Sequence, residues 1–137
     1  MNKKILIVSS NYYDQVSKNL ELGVKNTLKE NGFEYDLINV PGCFEIPYLI
    51  KQNIDKYFGF ISLGCIIKGD TYHFEVIANE TSRKIMDLSI DHNKPIGFGI
   101  LTCYNLNQAI VRSDIKQKNT GGEAALACIE LLKHNAK

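Results

Sequence analysis

The 137-residue sequence has no tryptophan, only three prolines and two methionines, and no excess of either charge. Its 16 lysines and arginines face 15 aspartates and glutamates, and no basic run alternates with aromatic residues, which disfavours nucleic-acid binding. No apolar run approaches the roughly 18 residues of a membrane span, and the first is too short for a secretory signal. We therefore expect a cytoplasmic protein of one domain, residues 1–137, with no membrane or nucleic-acid partner.

The four cysteines are scattered along the chain, with no CxxC pair and no histidine at ligand spacing. They are Cys43, Cys65, Cys103 and Cys128. This pattern disfavours a zinc site and a disulfide framework, so each cysteine should pack as a small apolar residue in a reducing compartment. We expect no metal ion and no redox cofactor.

Apolar patterns alternate along the chain between those typical of strands and those typical of helices. Strands are predicted at residues 3–10, 35–40, 57–63 and 95–101. Helices are predicted at residues 16–31, 44–55, 71–91, 105–113 and 123–132. This alternation predicts the α/β class: a three-layer αβα sandwich, flavodoxin-like, with a four-stranded parallel sheet.

The candidate chemical residues follow the carboxyl ends of the predicted strands, where such folds bind ligands. The segment LGCIIKGDTYHFE, residues 63–75, places a glycine turn and then His73 at a helix start. A helix start offers unpaired N–H groups to a phosphate, and an imidazole can transfer protons near neutral pH. The sequence therefore predicts a site for a small phosphorylated molecule.

Taken one by one, these residues have simpler structural interpretations. Asp70 and Thr71 could only cap a helix, and Glu45 at a helix start could only favour the helix dipole. A lone histidine such as His73 is more often structural than catalytic. Packing on the sheet edge and a solvated basic face would explain other candidates: Tyr12, Tyr13, Arg112 and Lys116.

Four motifs together carry a resemblance to a known family. They are VPGCFEIP at residues 40–47, LGCIIKGDTYHFE at 63–75, PIGFGILT at 95–102, and QAIVR with NTGGEAA between 108 and 125. In this order and spacing they resemble the 6,7-dimethyl-8-ribityllumazine synthase family of riboflavin biosynthesis over essentially the whole chain. The resemblance implies a transferase that condenses 5-amino-6-(D-ribitylamino)uracil with 3,4-dihydroxy-2-butanone 4-phosphate and releases phosphate and water.

The resemblance also implies a role for each matching residue. His73 matches the proton-transfer histidine, whose imidazole the helix start tends to keep neutral. Tyr12 matches a pyrimidine-stacking aromatic residue that is usually phenylalanine in the family. Further matches hold the ribityl chain and ring (Cys43, Phe44, Glu45), read the pyrimidine edge through backbone groups (Cys65, Ile66, Ile67), or form the phosphate-binding helix start through backbone groups (Gly69, Asp70, Thr71).

Other matches concern assembly. Phe98 and Arg112 match residues that enter the site from a neighbouring subunit, which implies active sites at the interfaces of a pentamer or of several pentamers. Thr120 stands where the family commonly has a substrate-facing lysine, and Lys116 or Lys118 is a candidate to compensate. The family also implies a functional link to riboflavin synthase.

Two other functions are open at the level of sequence. One is a non-catalytic module on a flavodoxin-like sandwich that binds flavin or another phosphorylated ligand, although the first strand here is not followed by a phosphate loop rich in serine, threonine and glycine. The other is a family member that has lost its activity and serves as a cage scaffold. The lysine replaced by Thr120 is the feature that favours the second.

Overall fold

The computed structural model describes residues 3–135, which contain a four-stranded parallel sheet in the order β2-β1-β3-β4. The strands are β1 (Ile5–Ser10), β2 (Tyr35–Val40), β3 (Gly59–Ile67) and β4 (Ile96–Cys103). The helices are α1 (Asp14–Glu30), α2 (Ile46–Gln52), α3 (His73–His92), α4 (Leu106–Ser113) and α5 (Thr120–Asn135), and a 3₁₀ turn, Cys43–Glu45, precedes α2. The predicted α/β class and four-stranded parallel sheet are confirmed.

The central strands are continuous apolar runs because both of their faces are covered. Every residue of β1 is buried, and so is every residue of β3 before Ile67. The first helix instead carries a stripe of buried residues one turn apart, from Val16 through Leu20 and Val24 to Leu28. The edge strands β2 and β4 contain half-buried or exposed positions.

Side chains of the sheet alternate between two cores. Ile7 and Ile61 pack with α1, α4 and α5 on one face, whereas Leu6, Val8 and Phe60 pack with α2 and α3 on the other. Three helices therefore cover one face and two cover the other. We call these the three-helix face and the two-helix face.

Helix α5 lies directly against the edge strand β4. A Cβ atom added at Gly97 would collide with the backbone carbonyl of Ala124 in α5, so the helix can approach this closely only over glycine. This contact closes the edge of the three-helix face.

Several element boundaries differ from those that the sequence predicts. Strand β3 ends at Ile67 rather than at residue 63, because Gly64 remains in the strand while the Cys43 sulfur occupies the space of its missing side chain. The helix predicted at residues 44–55 is a 3₁₀ turn followed by α2, which ends at Gln52. Helix α5 begins at Thr120, earlier than predicted, where the Asn119 side chain accepts the Gly122 N–H at 3.2 Å.

Other expectations concern membranes, metals and thiols. No helix within residues 3–135 is long and apolar enough to cross a membrane. The same residues contain no group of three or more His, Cys, Asp or Glu side chains arranged to hold a metal ion. All four cysteines are buried and free, which confirms that they pack as small apolar residues.

Candidate active site

A cleft of about 660 Å³ opens at the carboxyl ends of β1 and β3. The segment after β1, the 3₁₀ turn before α2 and the first turns of α3 form its walls. The predicted site residues all line this cleft except four, Asp70, Phe98, Arg112 and Lys116. Distant parts of the sequence therefore meet at the sheet edge that the strand order favours.

Two aromatic rings stand exposed at opposite walls of the cleft. Tyr12 is 72% exposed and packs edge-on against Tyr13, with ring centroids 5.0 Å apart. Phe44, on the 3₁₀ turn, is 55% exposed. Tyr13 is half-buried, and burial is the main cause that raises the pKa of its phenol. The Tyr12 ring is thus held in place with a face free to stack on a flat ligand.

Strand β3 continues past the end of its neighbour β1. Its pairing with β1 ends at Leu63, whereas its pairing with β4 continues to Ile67. Beyond it, the Lys68 N–H donates to the Cys103 carbonyl at 2.9 Å, on the β4 side. Because successive residues of a strand direct their backbone groups to alternate sides, those of Ile67 and Cys65 face the cleft. The cleft therefore has an open ladder edge along one wall.

The floor of the cleft is formed by neutral thiols and a serine. Burial raises the pKa of the Cys43 thiol to about 11, although the nearby Cys65 N–H acts in the opposite direction. Burial also raises the pKa of the Cys65 thiol to about 12. The Ser10 hydroxyl is buried beside them, and its contact with the Cys43 thiol opposes the rise of that pKa more than the Cys65 N–H does; apart from this contact it has no hydrogen-bond partner among residues 3–135. At neutral pH these thiols stay protonated and are poor nucleophiles.

The turn between β3 and α3 presents unpaired N–H groups. Within the described residues, the backbone N–H groups from Gly69 to Tyr72 donate no hydrogen bond. The next N–H, that of His73, donates to the Thr71 hydroxyl at 3.3 Å, and Tyr72 is the N-cap of α3. This is an arrangement that suits an anion, because the positive end of the helix lies beside the free donors. Asp70 is exposed in this turn but does not line the cleft.

His73 is the first residue of α3 and lines the cleft next to this turn. It is exposed, and its imidazole makes no hydrogen bond to any residue between 3 and 135. Both ring nitrogens are therefore available to a ligand, in reach of the helix start. The geometry can supply a proton donor or acceptor beside a bound anion.

The described lining of the cleft includes neither arginine nor lysine. Arg112 lies on α4, where it donates to the Gln108 carbonyl at 3.2 Å and its charge opposes the burial that raises the pKa of Cys103. Lys116 is exposed in the segment after α4, and Phe98 is 44% exposed on β4. A single chain thus brings the anion-binding turn and the histidine together, but no cationic side chain lines the described cleft with them.

Apart from Tyr13 and Gly42, which are the chain neighbours of predicted residues, four lining residues were absent from the predicted site: Ser10, Phe74, Val76 and Ile77. Two signals in the sequence could have identified most of them. Ser10 is the last residue of β1, at the end where ligands bind. Val76 and Ile77 follow His73 by three and four residues and so share its helix face. Phe74 had no such signal.

Sequence comparisons give one consistent result. The sequence model of the family described as 6,7-dimethyl-8-ribityllumazine synthase matches residues 2–136. A 6,7-dimethyl-8-ribityllumazine synthase from Novosphingobium aromaticivorans is 47% identical over 131 residues, which cover 94% of each chain. Proteins of the same name from Agrobacterium fabrum and Zymomonas mobilis are 41% and 43% identical, over 97% and 98% of this chain and 95% and 97% of theirs.

Proposed function

We propose a role for each residue of the cleft from the premise that the chain belongs to the 6,7-dimethyl-8-ribityllumazine synthase family. The chain is a transferase of riboflavin biosynthesis. The reaction condenses 5-amino-6-(D-ribitylamino)uracil with 3,4-dihydroxy-2-butanone 4-phosphate to give 6,7-dimethyl-8-ribityllumazine, phosphate and water. A non-catalytic flavin module and an inactive scaffold are not favoured, since the relatives are named as synthases.

The pyrimidine binds between the Tyr12 ring and the open edge of β3. The observation that carries this assignment is the free backbone edge of Cys65 and Ile67 beside an exposed aromatic face. A pyrimidine has donors and acceptors along its edge and a flat face, so both surfaces match it. Ile66, which lies between the two, keeps the strand extended.

The ribityl chain runs along the 3₁₀ turn toward Glu45. Cys43, Phe44 and Glu45 belong to this turn and line the same cleft. A carboxylate accepts hydrogen bonds from hydroxyl groups, so Glu45 matches the hydroxyl-rich ribityl chain. Cys43 contributes packing and backbone contacts, because its thiol is buried and protonated.

The phosphate of the second substrate binds at the turn before α3. Gly69, Asp70 and Thr71 present backbone N–H groups there that donate to no described residue. The Asp70 carboxylate would repel a phosphate at close range, so its contribution is through the backbone. The partial positive charge of the helix start adds to this attraction.

His73 transfers protons between the two bound substrates. The amino group of the diamine attacks the carbonyl carbon of the ketone, and water leaves as the imine forms. Phosphate elimination and ring closure then each move further protons, which the imidazole can carry as acid or base. Because the diamine is its own nucleophile, the reaction requires no thiolate, in agreement with the protonated Cys43 and Cys65. Holding both substrates together supplies most of the acceleration.

The missing cation comes from a neighbouring copy of the chain. We infer a homo-oligomer, a pentamer or several pentamers, in which Arg112 binds the phosphate of the adjacent subunit and Phe98 covers its ring. Lys116 is the candidate for the position that Thr120 leaves without a lysine. The absence of lysine and arginine from the described cleft lining, together with the exposure of Phe98, supports this assembly.

The cellular setting follows from the same reaction. We infer a single-domain cytoplasmic enzyme whose product is the substrate of riboflavin synthase, which makes a functional link between the two enzymes. The four free, buried cysteines agree with a reducing compartment.

The activity is tested by mixing the purified chain with both substrates. Lumazine absorbance and released phosphate should rise together, faster than in the spontaneous reaction without protein. A rate equal to the spontaneous one would contradict the assignment.

The shared site is tested by mixing inactive subunits. With the phosphorylated substrate well below its KM, His73→Ala and Arg112→Ala chains should each have at most about a tenth of the native activity alone. When co-expressed, about one quarter of the sites in a randomly mixed ring should combine both native residues and recover activity. A mixture no more active than its separate variants would contradict a site built from two subunits.

A further inference from the structure

The turn that presents the N–H groups has little to hold it in place. Residues 68–73 are all exposed, and the N–H groups from Gly69 to Tyr72 donate to no described residue. A Cβ atom added at Gly69 would meet no atom within 4 Å, so packing does not confine the turn there. The segment that must align several donors is therefore poorly restrained by its own backbone.

An ion pair bridges this turn from one side to the other. Lys68 precedes it, Glu75 lies in the first turn of α3, and Lys68 Nζ is 3.0 Å from Glu75 Oε2. A hydrogen bond from the Lys68 ammonium is the main cause that lowers the pKa of the Glu75 carboxyl, so this carboxyl stays ionised at neutral pH. The pair joins the end of β3 to the start of α3 and spans His73.

The Lys68 end of the bridge is anchored to its surroundings. The Lys68 N–H is bonded to the Cys103 carbonyl on β4 at 2.9 Å, which fixes the backbone at the start of the turn. Its ammonium lies 5.6 Å from the centroid of the Phe74 ring, within the range of a cation–π contact. The Phe74 ring in turn packs 6.5 Å from that of Tyr104. Lys68 thus contacts β4 through its backbone N–H and α3 through its side chain, and so connects both to the turn.

We propose that Lys68 and Glu75 are positioning residues for this reaction, and that their ion pair holds the N–H groups of the turn in register with His73. Neither residue lines the cleft, so the pair acts through the turn rather than by touching the substrate. The inference rests on the proposed function of that turn and of His73. It adds two residues outside the cleft to the catalytic apparatus.

The expected effect falls on activity and not on the stability of the fold. The Lys68 and Glu75 side chains are 45% and 30% exposed, and ion pairs that reach solvent in this way contribute little to folding. In contrast, a misplacement of about 1 Å in a catalytic arrangement can cost about a hundredfold in rate. Measurements of activity and of folding stability therefore separate a positioning role from a purely structural one.

The test compares Lys68→Met, Glu75→Leu and the double variant with the native chain. We expect each single variant to lower kcat/KM for the phosphorylated substrate by about tenfold, with the double variant no worse than the singles, since the two residues act as a unit. Lys68→Arg should restore most of the activity. Lys18→Met serves as the matched control, because Lys18 pairs with Asp14 at the same 3.0 Å on α1.

Each contrary outcome overturns the proposal. Single variants within about twofold of the native chain would show that the turn needs no bridge. An inactive Lys68→Met with an active Glu75→Leu, or losses that multiply in the double variant, would show that the residues act separately. A fall in thermal midpoint larger than in Lys18→Met would assign the pair to folding alone. An inactive native chain would instead contradict the proposed function itself.

Discussion

The two faces of the sheet are covered unequally, and this difference separates stability from chemistry. On the three-helix face, Ile7, Leu20 and Ile61 are fully buried, and α5 closes over Gly97. On the two-helix face, Phe98 of β4 remains 44% exposed although it is on the same side as the buried Ile100. The active-site cleft lies where the sheet emerges from its helices. Complete coverage supplies the core, and incomplete coverage leaves room for substrates and, as proposed, for a second subunit.

The largest effect should come from opening the three-helix face. Leu20→Ala removes a fully buried side chain between α1 and the sheet and should cost about 2–5 kcal/mol of unfolding free energy. Urea denaturation of the native and variant chains measures this loss.

Phe98→Ala is the matched change on the other side of the sheet. Because Phe98 is already half-exposed in the single chain, its truncation should cost about 1 kcal/mol or less of unfolding free energy under dissociating conditions. Equal losses for the two variants would contradict the difference between the faces.

His73→Ala should lower kcat by about a hundredfold, because it removes the proposed proton carrier from the cleft. Its KM values should change little, and its unfolding free energy should match that of the native chain, since His73 is exposed. Steady-state kinetics with both substrates measures the separation. His92→Ala, at the other end of α3, is the control. A large rise in KM with unchanged kcat would contradict the proton-transfer role.

Arg112→Ala should act mainly on binding of the phosphorylated substrate. Loss of a charged hydrogen bond to the phosphate should raise KM for that substrate by about tenfold or more and leave KM for the diamine nearly unchanged. Lys29→Ala, at the end of α1, removes a positive charge away from the cleft. If the KM values of Arg112→Ala for both substrates equalled those of the native enzyme, the proposed binding of the phosphate by Arg112 would be wrong.

At neutral pH the smallest effect is that of the buried thiols, which appears only when the solution becomes alkaline. Burial raises the pKa of Cys43 to about 11 and that of Cys65 to about 12, from 9.0 for an exposed thiol. The unfolded chain therefore loses thiol protons above pH 9.0 while the folded chain keeps them. The contribution of these thiols is fully present below that pH and is lost as pH rises through 11 and 12.

Urea denaturation at about pH 8 and about pH 10 measures this loss. Each thiol loses roughly 1.4 kcal/mol for each pH unit between its pKa in the unfolded chain and its pKa in the folded chain. Cys65→Ala should reduce the pH dependence, and so should Cys128→Ala on the three-helix face, where burial raises the thiol pKa to about 12. A reduction with Cys128→Ala alone would show that water reaches the cleft floor more freely than the sealed core.

The order and type of the elements followed from the apolar pattern, because central strands and amphipathic helices have different periods. The predicted boundaries were wrong where a tertiary contact, rather than a local sequence signal, decides where an element ends. A glycine such as Gly64 is typical of the end of a strand, yet the Cys43 sulfur packs against it and the strand continues. The start of α1 at Asp14 was missed for the opposite reason, since the first exposed turn of a helix carries no apolar signal.

The cleft was predictable as far as motifs and strand ends reached. The four motifs located His73 and the turn before it, and the structure places both beside Tyr12 and Phe44. The bridge between Lys68 and Glu75 could not be read from the sequence, because Lys68 lies before the turn and Glu75 lies inside α3, so no single periodic pattern relates them. The roles proposed for Arg112 and Phe98 depend on contacts between copies of the chain, which the pattern of one chain does not specify.

The open ladder edge of β3 has a consequence for which residues can be substituted along this strand. A pyrimidine bound there as proposed would extend the sheet sideways, and its partners would be peptide groups that every residue except proline provides in full. Replacing Cys65 by alanine or Ile67 by valine should therefore leave recognition of the ring unchanged, as long as the strand keeps its direction. Specificity for the base would then depend on where β1 stops pairing with β3. Proline, which has no N–H, is the one residue that the stretch from Cys65 to Ile67 should not accept.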